Sequence, residues 1–383
     1  MSAARLRAAS ARNAAEYRLL DSITGEHNGM IRTHQASRWV MGAAGAVAVG
    51  AAVIAGAMSP APAPVSAATS IVGAGSTFDL PFFNKAFPIY DKSNGVSVNY
   101  QGIGSGGGIK QFTNNTVDFG ATDVPMNASE LALAGRTGSS VVQIPVALGG
   151  IAIAYNLPEV GKKVLKLDAT TLANIFLGKV TKWNDPSIKA LNPALSLPDL
   201  AILTIHRSDA SGTNYITTNY LSSVSSTWST SIGTGKSVQW PSNSEGGKGN
   251  PGVSAAIKQH SGAIGYVELA YALDNHIPFA QLKNRDGAYL FPNQSTVKAA
   301  AAQFPHVSYK NFSIVNAPGK MSYPIAGYSW ALLRQQPRNN AQALVKLFRW
   351  TVSTGQMYAS GLNYVALPSN VQKQAQSALN GIK

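Results

Sequence analysis

The feature that most restricts the fold of this chain is a unit it uses three times. A short run of β-forming residues leads into a loop of glycine, serine and threonine, and then into a segment with apolar residues at helical spacing. Ser70 to Val72 precedes Gly73-Ala74-Gly75-Ser76-Thr77 and a helix bearing Leu80, Phe83, Phe87 and Tyr90, for which Thr77 and Asp79 are candidate caps. Val96, Val98 and Tyr100 alternate as a strand, Gly102 to Gly108 forms the loop, and Ile109 and Phe112 open the next helix. Ala201 to Ile205 runs into His206-Arg207-Ser208-Asp209-Ala210-Ser211-Gly212-Thr213 and a third helix. Strands and helices alternating in this way pack as layers, which places the chain in the α/β class.

The intervening segments extend the pattern. Val117 to Gly120 reads as a strand ending at Ala121-Thr122-Asp123, and the run from Val141 to Tyr155 is apolar enough for buried strands, with Gly149-Gly150 marking a crossover between lobes. Asp168 and Thr170 are positioned to cap a helix carrying Leu172, Ile175 and Phe176. Gly246-Gly247-Lys248-Gly249 precedes a helix from Val253 to Lys258 and a strand from Ala263 to Val267. The C-terminal part is helical around Gln342 to Trp350 and again after Pro368.

Ahead of this pattern, Val40 to Met58 is an uncharged apolar run with Arg32 and Arg38 before it and a Pro/Ala stretch after it. That is the layout of an export signal, with Val65-Ser66-Ala67 supplying the small residues of a cleavage site, so residues 1–67 are read as leader and the mature chain as starting near Ala68. Retention of the run as an anchor is the competing reading, weakened by its Ala/Gly richness. Met30 stands where a conventional leader would begin. The chain has no cysteine, which excludes disulfides, thiolate metal sites and a lipidated cysteine.

Charge narrows the partners. The formal net charge is +14, yet the basic residues are scattered and not gathered with aromatics into one helix or tail, which argues for a small anion and against nucleic acid. A strand that ends in a Gly/Ser/Thr loop and turns into a helix leaves free N–H groups at a positive dipole end. Three such ends, at Ser76-Thr77-Phe78, Ser105-Gly106 and Ser211-Gly212-Thr213, would make an oxyanion site if they converge. Singly, each is an ordinary cap or turn. Arg207 adds a planar fork suited to a tetrahedral oxyanion, and Asp209 is placed to hold it. Asp123 would set selectivity, because a carboxylate repels an anion unless that anion carries a proton to donate, as phosphate does at neutral pH and sulfate does not.

Two other classes compete. Gly102, Gly104 and Gly107 satisfy G-x-G-x-x-G, with Asp123 about 20 residues on, as in a dinucleotide-binding enzyme. An export signal argues against that reading. A hydrolase is disfavoured because Ile103 breaks the G-x-S-x-G elbow around Ser105 and the histidines lack metal spacing; His206 beside Arg207 could serve as a catalytic base, but a structural or merely adjacent imidazole is the favoured reading. No turnover, metal or cofactor is expected.

The segments GAGSTF (Gly73 to Phe78), NYQGIGSGGGIKQF (Asn99 to Phe112), VDFGATD (Val117 to Asp123), RSDASGT (Arg207 to Thr213), GGKGNPGV (Gly246 to Val253) and GAIGYVE (Gly262 to Glu268) together resemble the periplasmic phosphate-binding protein of the high-affinity phosphate ABC transporter. The resemblance spans the mature chain. It implies that Thr77 and the Phe78 amide, Ser105, Asp123, Arg207, Ser211, the Gly212 amide and Thr213 contact inorganic phosphate, with Asp209 orienting Arg207. It also implies a two-lobed type II periplasmic-binding-protein fold, each lobe a mixed sheet flanked by helices and joined by two hinge crossovers, with lobe 1 at 68–149 plus 322–383 and lobe 2 at 150–321. The implied partners are the permease and ATPase subunits of the transporter, for a monomeric periplasmic protein. A binder of another oxyanion, such as sulfate, molybdate or phosphonate, is the alternative that only Asp123 separates from it.

Overall fold

The computed structural model describes residues 69–383, so the leader and its cleavage site lie outside the described residues. In chain order the strands are β1 (Thr69–Gly75), β2 (Val96–Gly102), β3 (Phe119–Thr122), β4 (Val141–Tyr155), β5 (Lys166–Leu167), β6 (Leu203–Arg207), β7 (Ser244–Gly247), β8 (Ala263–Glu268), β9 (Gln281–Lys283), β10 (Tyr289–Leu290) and β11 (Ala326–Arg334). Eight of them form one sheet in the order β2-β1-β3-β11-β4-β8-β6-β7, and β10-β9-β5 form a small second sheet.

Pairing directions explain where a site can form. β1 is parallel to β2 and β3, and β6 is parallel to β7 and β8. Between the two triplets, β11 is antiparallel to β3 and β4, and β4 is antiparallel to β8. The triplets therefore run in opposite directions. Thr122, which ends β3, aligns through Trp330 with Pro145 of β4, while Glu268, which ends β8, aligns with Ile151. Both sets of carboxyl ends thus face each other across the middle of β4. Loops that follow parallel strands carry the binding groups of α/β sheets, and here two such clusters are brought face to face.

β4 is buried from Ile144 to Tyr155, which matches its unbroken apolar sequence. Its partner changes from β11 to β8 between Gly150 and Ile151, at the Gly149-Gly150 pair marked in the sequence. The helix Leu80–Asn94 buries Phe82, Phe83, Ala86, Phe87 and Tyr90 and ends at Gly95, whose φ of 64° only glycine adopts freely. Phe83 stacks on Phe87 at 4.4 Å, and both meet Phe119 of β3 edge-on, each ring contributing about 2 kcal/mol by burial. Among the described residues no helix is long and apolar enough to cross a membrane.

Several boundaries differ from those read in the sequence. The helix expected from Ile109 begins at Ser105, so Gly106 to Gly108 are helical. Close packing is the reason: a Cβ on Gly108 would lie 2.4 Å from Gly75 Cα, and one on Gly106 would lie 2.4 Å from Ala210 Cβ. Likewise the helix expected from Val253 begins at Gly249, and the strand expected at Ala201 to Ile205 runs from Leu203 to Arg207. Asp168 caps its helix through Thr171 N–H at 2.8 Å, while Thr170 lies within the first turn. Asp79 stands at an N-cap position, but its side chain makes no capping bond and points into the interior.

Glycine replacements should separate close packing from backbone entropy. Gly108→Ala forces backbone apart and should lower stability by about 1–3 kcal/mol. Gly135→Ala, at the exposed end of the helix Ala128–Gly135 with no atom within 4 Å of the new Cβ, should be neutral or stabilising by up to ~1 kcal/mol. Urea unfolding of the two variants is the measurement; equal effects would contradict the packing account.

Candidate functional site

The strand ends meet around one buried carboxylate. Asp123 follows directly on β3 and is 2% exposed. Ser76, next after β1, donates from Oγ to Asp123 Oδ1 at 2.5 Å and accepts the Phe78 N–H at 2.9 Å. Ser329 of β11 reaches the same carboxylate oxygen at 2.7 Å, and Thr213 Oγ1 donates to Oδ2 at 3.4 Å. Three hydroxyls, from the end of β1, from β11 and from the first turn of the helix Gly212–Val224, thus converge on one side chain.

The loop after β2 is tied to its neighbours by backbone. The N–H groups of Ile103 and Gly104 donate to Gly75 O at 2.9 and 2.8 Å, and Gly106 N–H donates to Ala210 O at 2.8 Å. Ser105 Oγ then sits between the clusters, accepting Gly212 N–H at 3.0 Å and Asp123 N–H at 3.3 Å. Gly212 is required here, because a Cβ would fall 2.4 Å from Asp123 Cβ. Ser211 caps the helix Gly212–Val224 by accepting Asn214 N–H at 3.1 Å.

Arg207 ends β6, and its guanidinium is almost wholly covered. Asp209 grips it from two sides, Nε to Oδ1 at 2.8 Å and Nη2 to Oδ2 at 2.6 Å, and also accepts Gly249 N–H at 2.9 Å. A clamp of this kind fixes the plane of the fork before any ligand arrives. Burial acts to raise the Asp209 pKa, but its bonds to Arg207 and the guanidinium charge outweigh it, and the net shift is downward.

For Asp123 the balance runs the other way. Burial raises its pKa, the hydroxyls of Ser76, Ser329 and Thr213 and the Arg207 charge hold it back, and it comes to rest at about 6. At neutral pH it is mainly ionised. Two further carboxyls lie nearby, both fully buried: Asp79, pushed well above the usual range by burial, then by the charges of Asp123 and Glu268, and Glu268, pushed up chiefly by burial.

The structure brings together Thr77, Phe78, Ser105, Asp123, Arg207, Asp209, Ser211, Gly212 and Thr213 from the segments that the sequence singled out. Thr77 is not a cap: its Oγ1 accepts from Asn250 N–H at 3.1 Å and Nδ2 at 3.0 Å, and its carbonyl accepts the Tyr271 hydroxyl at 2.6 Å. Asn250, Ser329 and Asp79 were not named as site residues. Asn250 lies inside the glycine-rich segment Gly246 to Val253, whereas Ser329 is a serine within the largely apolar strand β11, with no local signal to mark it. The helix start after Gly104 does not present a free end, since the Gly106 N–H is taken by Ala210 O and a Cβ on Gly104 would strike Asp209 Oδ2 at 2.1 Å. With the Gly106 N–H occupied and Asp209 packed against Gly104, this turn is not the open cradle of amides that the dinucleotide reading needs there. Among the described residues no group of three or more His, Cys, Asp or Glu is arranged to hold a metal ion.

The family profile of the PBP superfamily domain matches residues 61–354. The chain is 42% identical over 323 residues to the phosphate-binding protein PstS of Xylella fastidiosa, an alignment covering 83% of this chain and 87% of that protein. It is 42% identical to the phosphate-binding protein PstS of Haemophilus influenzae, covering 82% and 93%. Its fold is similar to that of a high-affinity periplasmic phosphate-binding protein solved with bound phosphate, with a TM-score of 0.63 at 20% identity over 81% of this chain and 93% of the other. Sequence and fold agree, and this chain belongs to the PstS phosphate-binding proteins of the PBP superfamily.

Proposed function

We propose that this protein captures inorganic phosphate in the cell envelope and delivers it to the permease and ATPase subunits of an ABC transporter. The observation that carries the reading is the setting of Asp123: an ionised carboxylate placed among hydroxyl and amide donors and facing a clamped arginine. Monohydrogen phosphate fits that set because it accepts from every donor and has one proton to give back to Asp123. Sulfate has no proton at neutral pH, so it would meet Asp123 as an unpaired like charge.

Thr77, the Phe78 amide, Ser105, Arg207, Ser211, the Gly212 amide and Thr213 are the proposed donors, and Asp209 holds Arg207 in place. Two of these amides have internal partners in the present arrangement: the Phe78 amide donates to Ser76 and the Gly212 amide to Ser105. Binding exchanges those internal partners for phosphate oxygens, so hydrogen bonds are conserved while water is excluded. Because the groups lie on two opposed sets of strand ends, we take 68–149 plus 322–383 and 150–321 as lobes that close on the ion, with the closed form presented to the transporter. The protein is proposed to act as an exported periplasmic monomer without catalytic turnover.

Calorimetry of residues 68–383 should show saturable phosphate binding and no sulfate binding at neutral pH; no heat with phosphate would overturn the proposal. Arg207→Ala should weaken phosphate binding by about 100-fold and Ser105→Ala by about fivefold, since bonds to charged groups are worth ~1.5–3 kcal/mol and neutral ones ~1 kcal/mol.

Selectivity should depend on pH with a defined sign. Asp123 titrates at about 6, so acidification below that value turns an acceptor that repels sulfate into a neutral donor. Sulfate competition should therefore appear as the pH falls through about 6 and be present at neutral pH in Asp123→Asn. Sulfate competition that stays flat across this range in the wild type would remove Asp123 from the selective role.

A further inference from the structure

The hydrogen bonds around Ser329 cannot all form unless one more proton is present. Ser329 Oγ lies 2.7 Å from Asp79 Oδ2 and 2.7 Å from Asp123 Oδ1, and all three residues are buried, at 0%, 0% and 2% exposure. A hydroxyl has one proton and can donate to only one of these oxygens; the other contact requires the carboxyl to donate. The third neighbour, Thr122 O at 3.3 Å, is an acceptor and supplies nothing. One of the two aspartates must therefore be a carboxylic acid.

The surroundings decide which. Asp123 also accepts from Ser76 and Thr213 and feels the Arg207 charge. The Asp79 carboxyl has no hydrogen-bond partner besides Ser329 among the described residues, and its Oδ1 has none at all. The ionisable groups acting on Asp79 are Asp123 and Glu268, and the phenols of Tyr100, Tyr271 and Tyr364 also face it; all are acidic. An ionised Asp79 would put a second negative charge beside Asp123 with one shared hydroxyl between them, a buried pair that cannot both be charged at acceptable cost.

We infer that Asp79 is a neutral carboxylic acid in the folded protein, donating to Ser329 Oγ, which in turn donates to Asp123 Oδ1 and holds that carboxylate in place. The proton chain runs in one direction, Asp79 to Ser329 to Asp123. It leaves Asp123 Oδ2, on the side of Thr213 and Gly212, as the oxygen turned toward the opposed loop. Asp79 is thus a positioning residue: it touches no ligand, but it secures the orientation of the selective carboxylate without adding a second charge to an anion site. The burial that raises its pKa agrees with this. The effect on ligand rests on the phosphate reading above; the protonation state of Asp79 does not.

Infrared difference spectra of ligand-free wild type against Asp79→Asn at neutral pH test the protonation directly. The carbonyl stretch of a protonated carboxylic acid should be present in the wild type and lost in the variant; if no such band is lost, the inference fails. Should Asp79→Asn fail to fold, Ser329→Ala reports the same proton, because an acid deprived of its acceptor must shift its band, and an unmoved band counts against the chain. Phosphate calorimetry gives the functional readout. Asp79→Asn, whose amide still donates to Ser329, should keep its Kd within about threefold of wild type and be insensitive to alkaline pH, whereas wild type weakens as Asp79 ionises. A gain of more than about tenfold in Asp79→Asn at neutral pH would mean that a charge had been removed and would overturn the inference. A wild type that shows the acid band yet binds no phosphate would leave Asp79 as assigned and sink the phosphate reading instead.

Discussion

The arrangement depends on keeping one carboxylate ionised inside the protein. Asp123 is nearly inaccessible to water, and burial alone would drive it toward the neutral acid. Hydroxyls from Ser76, Ser329 and Thr213 and the charge on Arg207 restore enough of the lost solvation to bring its pKa to about 6. The value matters because it lies below neutrality but not far below. A carboxylate solvated as well as it is in water would gain little from an incoming proton, and one solvated much less would already have taken a proton and lost its power to discriminate.

That balance explains features that look unrelated. The opposed strand triplets supply donors from both sides of Asp123, which no single strand-loop-helix unit could do. The glycines at 104, 106, 108 and 212 allow backbone to approach closely enough for those donors to reach. Arg207 is clamped by Asp209, which the Gly249 N–H holds in turn, so its charge acts from a fixed position and its side-chain entropy is already lost before an ion arrives. A neutral Asp79 completes the set, contributing a hydrogen bond from a position where a second charge would oppose the anion.

Most of the candidate site is legible along the chain because its residues occupy segments with a local signature. Ser76 to Phe78, Ser105, and Arg207 to Thr213 each sit where a strand turns into a helix, and that turn needs glycine and small hydroxyl residues for its own geometry. The residues that escaped notice lack such a context. Ser329 lies in the middle of a buried strand, and nothing nearby in sequence distinguishes it from a tolerated core serine. Asp79 precedes a helix, which is where a capping aspartate belongs, so its local context pointed to the wrong role. Only the approach of β11, 250 residues later, turns its side chain inward. The helix starts at Ser105 and Gly249 are hidden in the sequence for a similar reason: glycine disfavours helix locally, and tertiary contact with Gly75, Ala210 and Gly247 overrides that preference.

By itself the sequence determined the alternation of strand and helix and the kinship with phosphate-binding proteins, and it singled out the glycine-rich loops as the candidate site, because each is written in residues close together along the chain. The tertiary structure alone decided which carboxylate carries the charge. Protonation inside a protein is set by the donors, charges and water within a few ångströms, and for Asp79 and Asp123 those neighbours come from β3, β11 and the loops after β1 and β6, which meet only when the chain has folded.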